Sequence, residues 1–204
     1  MKLENVFMLL PNRTVGFGSI EIDGDTIAKI DLRPAPDAVN QSRLVLPGLV
    51  NCHCHAPMTL LRGVGGGLPL QRWLEEAIFP VEAKMKPEDV RAGAVWGIME
   101  MLSGGTTCVA DMYDFPGEMG AALLESGMKG RICRVGLSFV PGRLEDCIES
   151  CRSWNERADS HEVGDVYEDM CIHSEYLTDE KFCRALAEAN RELKIGRASC
   201  RERV

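Results

Sequence analysis

The chain has 204 residues, of which 23 are lysine or arginine and 31 are aspartate or glutamate, so its formal charge is −8. A chain of this length can bury a core of its own, and a hydrophobic share of 45% is typical of a globular protein. The acidic balance and the lack of a long basic run exclude the electrostatic attraction on which nucleic-acid binding depends.

The composition also favours a cytoplasmic protein without a membrane partner. No apolar run approaches the ~20 residues that span a bilayer. The first ten residues place Glu4 where a signal peptide carries positive charge, and their apolar stretch is short. The nine cysteines form an odd set whose spacing matches no compact disulfide framework, so we expect reduced thiols.

The first part of the chain is predicted to form a small β unit. Residues 14–22 and 26–30 have the composition of strands, and Asp23-Gly24-Asp25 between them is a hairpin signal. Residues 42–50 then form a nearly continuous apolar run, which predicts a strand buried on both faces.

Helices and strands alternate in the rest of the chain. Five helices are predicted. The first covers 70–79 and ends at Pro80, the second runs from Pro87 to Leu102, and the third covers 118–126. The fourth is indicated by an apolar stripe from Leu144 to Cys151, and the last is capped by Thr178. The predicted strands between them cover 106–113, 131–140 and 169–175. This alternation predicts βαβ units and a parallel sheet. A closed eight-unit barrel needs about 250 residues, so the pattern leaves an open doubly wound sheet or the first half of a barrel.

The composition changes at the end of the chain. Residues 194–204, KIGRASCRERV, are basic and lose the preceding helical period. They resemble a translated sequencing adapter, and we interpret them as a non-native tail on an N-terminal fragment. A short basic native tail is the alternative.

The chemically informative motif is His53-Cys54-His55, which directly follows the apolar run. Residues i and i+2 of a strand point to the same face, so the two imidazoles can share one metal ion while Cys52 and Cys54 point away. At the carboxyl end of a barrel strand, such a pair would face an active site.

The segment PGLVNCHCHAPMTLLRG resembles the first metal-binding strand of the amidohydrolase superfamily. Trp73-Leu74, Pro80-Val81-Glu82 and GGTTCVADMY at 104–113 are similar to the branch that deaminates S-adenosylhomocysteine and methylthioadenosine, a branch that also contains guanine deaminases and triazine hydrolases. The resemblance implies the N-terminal half of a (β/α)8 barrel at 44–193, preceded by part of a small β-sandwich at 1–43.

The resemblance also implies the chemistry and its residues. His53 and His55 match two ligands of one divalent metal ion, zinc with iron as the alternative, which activates the water that displaces ammonia from an aminopurine. Glu82 matches a residue that binds ribose hydroxyls, His173 a substrate-contacting histidine, and Arg143 a residue that meets the substrate's polar tail. The expected partner is a small-molecule substrate, and a homo-oligomer of the full-length protein stays open.

Several features of the family have no counterpart here. Its third metal-binding histidine, proton-shuttling glutamate and metal-binding aspartate belong to later strands, and the remaining histidine, His161, stands in a polar stretch. We therefore expect no catalytic acid or base in this chain, and expect the chain alone to be inactive and poorly stable. Two alternatives remain: a hydrolase that cuts a cyclic amide or a carbon–chlorine bond, and a non-catalytic cysteine and histidine metal-binding module.

Overall fold

The computed structural model describes residues 1–35, 43–160, 162–174 and 178–193. His161, Glu175 and the predicted tail at 194–204 lie outside the described residues. Two compact units make up the chain, Met1–Gly48 and Leu49–Val204. The predicted boundary between residues 43 and 44 stays a prediction. Among the described helices, none has both the length and the apolar character needed to cross a bilayer.

The first unit is a sheet whose described strands are β1 (Lys2–Leu9), β2 (Val15–Asp23), β3 (Thr26–Arg33) and β4 (Arg43–Val45). Their order is β3-β2-β1-β4, with β1 antiparallel to β2 and parallel to β4. Val6, Met8 and Ile20 form its small core. Residues 23–26 form the expected hairpin, and Gly24 supplies the positive φ of +60° that the turn needs.

Strand β1 is missing from the predicted elements. Its alternation is broken because Asn5 has a φ of +56° and the pairing register with β2 shifts between Leu3 and Val6. The polar first half of the strand therefore carries no period of two that could indicate a strand.

The prediction of one doubly buried strand at 42–50 is wrong. Pro47-Gly48 divides the run into β4, which belongs to the first unit, and β5 (Leu49–Cys54), which belongs to the second. Leu49 and Val50 are 58% and 60% exposed, so neither face of β5 is covered at its start, and β5 lies at the edge of its sheet.

The second unit alternates parallel strands with helices. Its main sheet has the order β5-β6-β7-β9, with β6 at Thr106–Met112, β7 at Lys129–Cys133 and β9 at Val166–Glu168. All described pairs in this sheet are parallel, and β8 (Val135–Gly136) pairs with β10 (Cys171–Ile172) in a second small parallel sheet. This is the strand order of half a (β/α)8 barrel.

Helices connect these strands. A 3₁₀ turn at Ala56–Leu61 follows β5, and the helices are α1 (Leu70–Arg72), α2 (Phe79–Glu82), α3 (Pro87–Ser103), α4 (Pro116–Ser126), α5 (Arg143–Asp159) and α6 (Glu180–Glu192). The core between sheet and helices includes Ile98, Val109, Leu123 and Ile132, all at most 1% exposed. The buried apolar side chains of α3 and α4 therefore pack in the core with those of the sheet.

The predicted end of a helix at Pro80 is wrong. Residues Trp73–Ile78 form a π-helical stretch between α1 and α2, and the helix continues through Pro80 to Glu82. Proline has no N–H to donate, and a π-helical segment changes the hydrogen-bond register of the preceding turn, which accommodates the ring. The continuation carries Glu82 one turn beyond the predicted end.

Three other predictions near strand ends need correction. The predicted strand 131–140 ends at Gly136, because Leu137 accepts a turn hydrogen bond from the N–H of Val140. Of the predicted strand at 169–175, only Cys171–Ile172 is a strand, β10, and β9 lies just before that range at Val166–Glu168. The cap of α6 is Asp179, not Thr178, since the Asp179 carboxylate accepts the Phe182 N–H at 2.8 Å.

Candidate metal and substrate site

Three imidazoles lie together at the carboxyl ends of the strands. His53 stands in β5, His55 directly after it, and His173 directly after β10. The ring centroids of His53 and His55 are 5.0 Å apart, and those of His55 and His173 are 6.5 Å apart. The ends of β5 and β10, which belong to different sheets, therefore lie close together and bring together histidines that are more than 100 residues apart in the chain.

The orientation of His55 is set by β6. Its Nδ1 lies 2.7 Å from the carbonyl oxygen of Met112. Because a carbonyl only accepts hydrogen bonds, Nδ1 carries a proton, and in the neutral ring the lone pair is then on Nε2. This is the tautomer in which a histidine binds a metal through Nε2 while the other ring nitrogen is held by a backbone carbonyl.

The interleaved cysteines are not placed like metal ligands. Cys52 is exposed and Cys54 is half-buried beside Asp111. Burial, together with the Asp111 carboxylate, raises the pKa of the Cys54 thiol to about 12. Only the thiolate is a good ligand, so this environment argues against a cysteine-based metal module.

Asp111 fixes the backbone that follows the histidine pair. It is 1% exposed, and its Oδ2 accepts the N–H of Ala56 at 2.7 Å. Burial raises the pKa of Asp111 to about 6, against the opposing effect of that hydrogen bond. The sequence alone assigns no chemical role to Asp111. The signal that could have indicated one is its position near the carboxyl end of a strand next to the HxH motif.

Glu82 is held by a tyrosine that the sequence also leaves without a role. The Tyr113 hydroxyl donates to Glu82 Oε1 at 2.6 Å, and Tyr113 is 9% exposed. Burial and the Glu82 carboxylate raise the pKa of Tyr113, so the hydroxyl keeps its proton. Burial and the nearby His55 lower the pKa of His173, and the charge of Glu82 opposes this shift. Glu82 is therefore close enough to interact electrostatically with His173.

Arg143 begins α5 and points to the end of β6. Its Nη1 donates to Asp114 Oδ1 at 2.8 Å, and only 13% of its side chain is exposed. The structure thus holds Arg143 at the strand end that also carries Tyr113.

The glycine-rich loop before α1 is attached to the helical segment. The Trp73 indole N–H donates to the Val64 carbonyl at 2.8 Å. Gly65 has a φ of +67°, and a Cβ at this position would lie 2.5 Å from the Cβ of Ala77. Both the backbone conformation and the close approach require glycine there.

The donor set fits part of a metal site. His53 and His55 supply two adjacent imidazoles, and a catalytic zinc site takes three or more protein ligands. Across the described ranges, no cluster of three or more histidine, cysteine, aspartate or glutamate side chains is arranged to hold a metal ion. Any metal bound by this pair would need further ligands from outside these residues.

Comparison with known proteins identifies a family and several similar proteins. The sequence model of the amidohydrolase family matches residues 44–194. The chain is 38% identical over 156 residues to a 5-methylthioadenosine/S-adenosylhomocysteine deaminase of Acetivibrio thermocellus, an alignment that covers 76% of this chain and 36% of that protein. It is 41% identical over 141 residues to a 5'-deoxyadenosine deaminase of Methanothrix thermoacetophila, covering 67% of this chain and 34% of that protein.

A solved structure shows the same fold. The zinc-bound adenosine deaminase of Xanthomonas campestris matches with a TM-score of 0.77 and 27% identity, over 95% of this chain and 47% of that one. The chain therefore spans between a third and a half of the length of these relatives.

Proposed function

Because the chain belongs to the amidohydrolase family, we propose that its full-length protein is a metal-dependent hydrolase that deaminates adenosine-type nucleosides. The observation that carries this proposal is the His53–His55 pair, in which His55 is held through Nδ1, beside His173 and Glu82. The similarity to proteins named as deaminases of methylthioadenosine, S-adenosylhomocysteine and 5'-deoxyadenosine supports the substrate class.

His53 and His55 would hold one divalent metal ion together with ligands from the rest of the protein. We propose zinc, with iron as the alternative. When bound, the ion supplies Lewis-acid activation of water for attack on the amino-bearing ring carbon. The contribution of β6 is to keep His55 in one tautomer and one orientation through the Met112 carbonyl.

The other three side chains would bind the substrate. A carboxylate can accept hydrogen bonds from two ribose hydroxyls, which is the role we propose for Glu82. A neutral His173 offers one hydrogen-bond donor and one acceptor to the purine. Arg143, which Asp114 already holds, would meet an anionic or polar group on the 5' side of the nucleoside.

The test is a deamination assay on the full-length protein. Ammonia release is measured with adenosine, methylthioadenosine, S-adenosylhomocysteine and guanine, before and after removal of the metal with a chelator and its replacement by zinc. We expect activity on the adenosine-type substrates that is lost with the metal. His55→Ala should abolish activity, whereas Cys52→Ser, on the exposed neighbour, should leave it unchanged. A metal-loaded protein that deaminates none of the four would contradict the proposal.

A further inference from the structure

Four consecutive residues at the end of β6, Asp111 to Asp114, each hold one part of the site. Their contacts are Asp111 Oδ2 with the Ala56 N–H at 2.7 Å, the Met112 carbonyl with His55 Nδ1 at 2.7 Å, the Tyr113 hydroxyl with Glu82 at 2.6 Å, and Asp114 with Arg143 at 2.8 Å. The first two contacts hold the metal-binding histidine segment, and the last two hold candidate substrate-binding side chains.

Tyr113 is itself firmly fixed. Its backbone N–H donates to the Cys133 carbonyl at the end of β7 at 3.2 Å, and its side chain is 9% exposed. The hydroxyl lies 3.7 Å from the sulfur of Met85 in addition to its short bond with Glu82. The sheet thus fixes the backbone of Tyr113, and burial of the ring limits the positions that its hydroxyl can take.

Glu82 has no comparable rigidity of its own. It is the last residue of α2, it is half-buried, and it has three rotatable side-chain bonds. Ordering a glutamate side chain costs about as much conformational entropy as a weak hydrogen bond returns, so a free Glu82 would be ordered only when substrate binds. The bond from Tyr113 removes this cost in advance, and it occupies one lone pair of Oε1 out of the four acceptor positions of the carboxylate.

We propose that Tyr113 is a positioning residue for nucleoside recognition: it fixes the Glu82 carboxylate so that the remaining acceptor positions meet the vicinal hydroxyls of the ribose. This inference rests on the proposed function, since it concerns how the same site recognises its substrate. Tyr113 does not touch the substrate. It acts through Glu82, and its effect therefore depends on the hydroxyls that Glu82 binds.

The experiment measures Tyr113→Phe in the metal-loaded full-length protein with adenosine and with 2',3'-dideoxyadenosine, which lacks the two vicinal hydroxyls and keeps the 5' hydroxyl. A hydrogen bond to a charged group corresponds to roughly a tenfold change in affinity. We expect KM for adenosine to rise about tenfold with kcat nearly unchanged, because the interaction is made equally in the bound substrate and in the transition state. KM for dideoxyadenosine should not change, and normal turnover of this substrate shows that the variant is folded.

Two controls complete the design. Tyr167→Phe removes a hydroxyl from a half-buried tyrosine of β9 whose ring stacks on Arg131, with the guanidinium carbon 4.7 Å from the ring centroid, and it should leave both substrates unaffected. In a Glu82→Ala background, Tyr113→Phe should have no further effect on adenosine, since the partner is gone.

The outcomes separate the inference from the proposed function. A metal-loaded wild-type protein that deaminates none of the four substrates of the first assay overturns the proposed function, and this inference with it. The inference alone is wrong, and Tyr113 has a general structural role, if the wild type is active and either of two results is found. One is that Tyr113→Phe lowers activity equally on both substrates, and the other is that it lowers activity on adenosine further in the Glu82→Ala background.

Discussion

Asp111 illustrates how single residues outside the obvious motif hold the site. Its carboxylate accepts the Ala56 N–H next to His55. Asp111→Ala removes this acceptor from a buried place, so we expect the metal affinity of the full-length protein to fall about 10- to 100-fold. Asp111→Asn keeps one side-chain oxygen for the N–H and should recover part of the loss.

Competition with a chelating dye measures these affinities. Asp25→Ala, at an exposed turn of the first unit, is the matched control and should bind metal as the wild type does. A folded Asp111→Ala protein with wild-type metal affinity would show that this hydrogen bond does not orient the histidine segment.

The closeness of the His53 and His55 rings could be predicted from the sequence, whereas Asp111 and Tyr113 could not be given a role. The spacing of the histidines reflects the local period of a strand, which the sequence displays directly. The contacts of Asp111 and Tyr113 join residues 55 and 31 positions apart. These contacts depend on the tertiary arrangement of β5, β6 and α2, which no local sequence pattern encodes.

At the scale of elements, α4 offers two glycines with opposite surroundings. A Cβ on Gly120 would lie 2.2 Å from the Trp154 ring, which is packed against the helix, whereas a Cβ on Gly117 would have no atom of the described residues within 4 Å. Gly120→Ala should lower the free energy of unfolding by about 1–3 kcal/mol through overpacking. Gly117→Ala should raise it by up to about 1 kcal/mol, because alanine favours the helix.

Urea unfolding of the two variants, followed by circular dichroism, measures this difference. Equal effects of the two substitutions would mean that Trp154 moves aside freely. Its indole N–H is bonded to the Val166 carbonyl at 3.0 Å, which argues that it does not.

Between β9 and α5, Glu168 makes stability depend on pH. It is 1% exposed and accepts the Ser150 hydroxyl at 2.9 Å, while no described group bonds its Oε1. Burial, with a smaller effect from Asp169, raises the pKa of Glu168 to about 7 from 4.5, and Ser150 and Arg134 oppose this shift. The folded state therefore binds the proton more tightly than the unfolded state does.

The contribution of the protonated Glu168 is complete below about pH 4.5 and is lost as the pH rises through about 7. Each tenfold difference in proton affinity is worth about 1.4 kcal/mol. The glutamine of Glu168→Gln cannot titrate. The free energy of unfolding of this variant should therefore increase relative to that of the wild type as the pH rises from 4.5 to 7. Parallel stability curves of the two proteins over this range would contradict the expectation.

The fold was predictable wherever one apolar face repeats along an element. Helix α3 follows its apolar stripe from Pro87 and ends before Gly104-Gly105, as the sequence predicts. The sequence was a poor guide to where strands end, because β8 and β10 contain only two residues each and are defined by their pairing with one another. A two-residue element is too short to have a period.

For the molecule as a whole, the uncovered sheet edge is the dominant feature of the second unit. Strand β5 pairs only with β6 among the described strands, and Leu49 and Val50 are more than half exposed. An apolar unpaired edge promotes association with other chains. We expect the 204-residue chain to form larger species as its concentration increases, measured by sedimentation velocity.

Val50→Lys places a charge on that edge and should reduce the association, whereas Val15→Lys, at an equally exposed valine of the first unit, should not. A chain that remains monomeric at all concentrations, or the same decrease in both variants, would show that the edge of β5 is not responsible.

The indole of Trp73, bonded to the loop carbonyl of Val64 at 2.8 Å, gives the protein an optical reporter. Breaking that bond would transfer the indole N–H to water and shift its fluorescence emission to longer wavelength. With Trp96 and Trp154 replaced by phenylalanine, the colour of the remaining emission would follow the detachment of the glycine-rich loop in real time, during a stopped-flow mixing experiment with nucleoside.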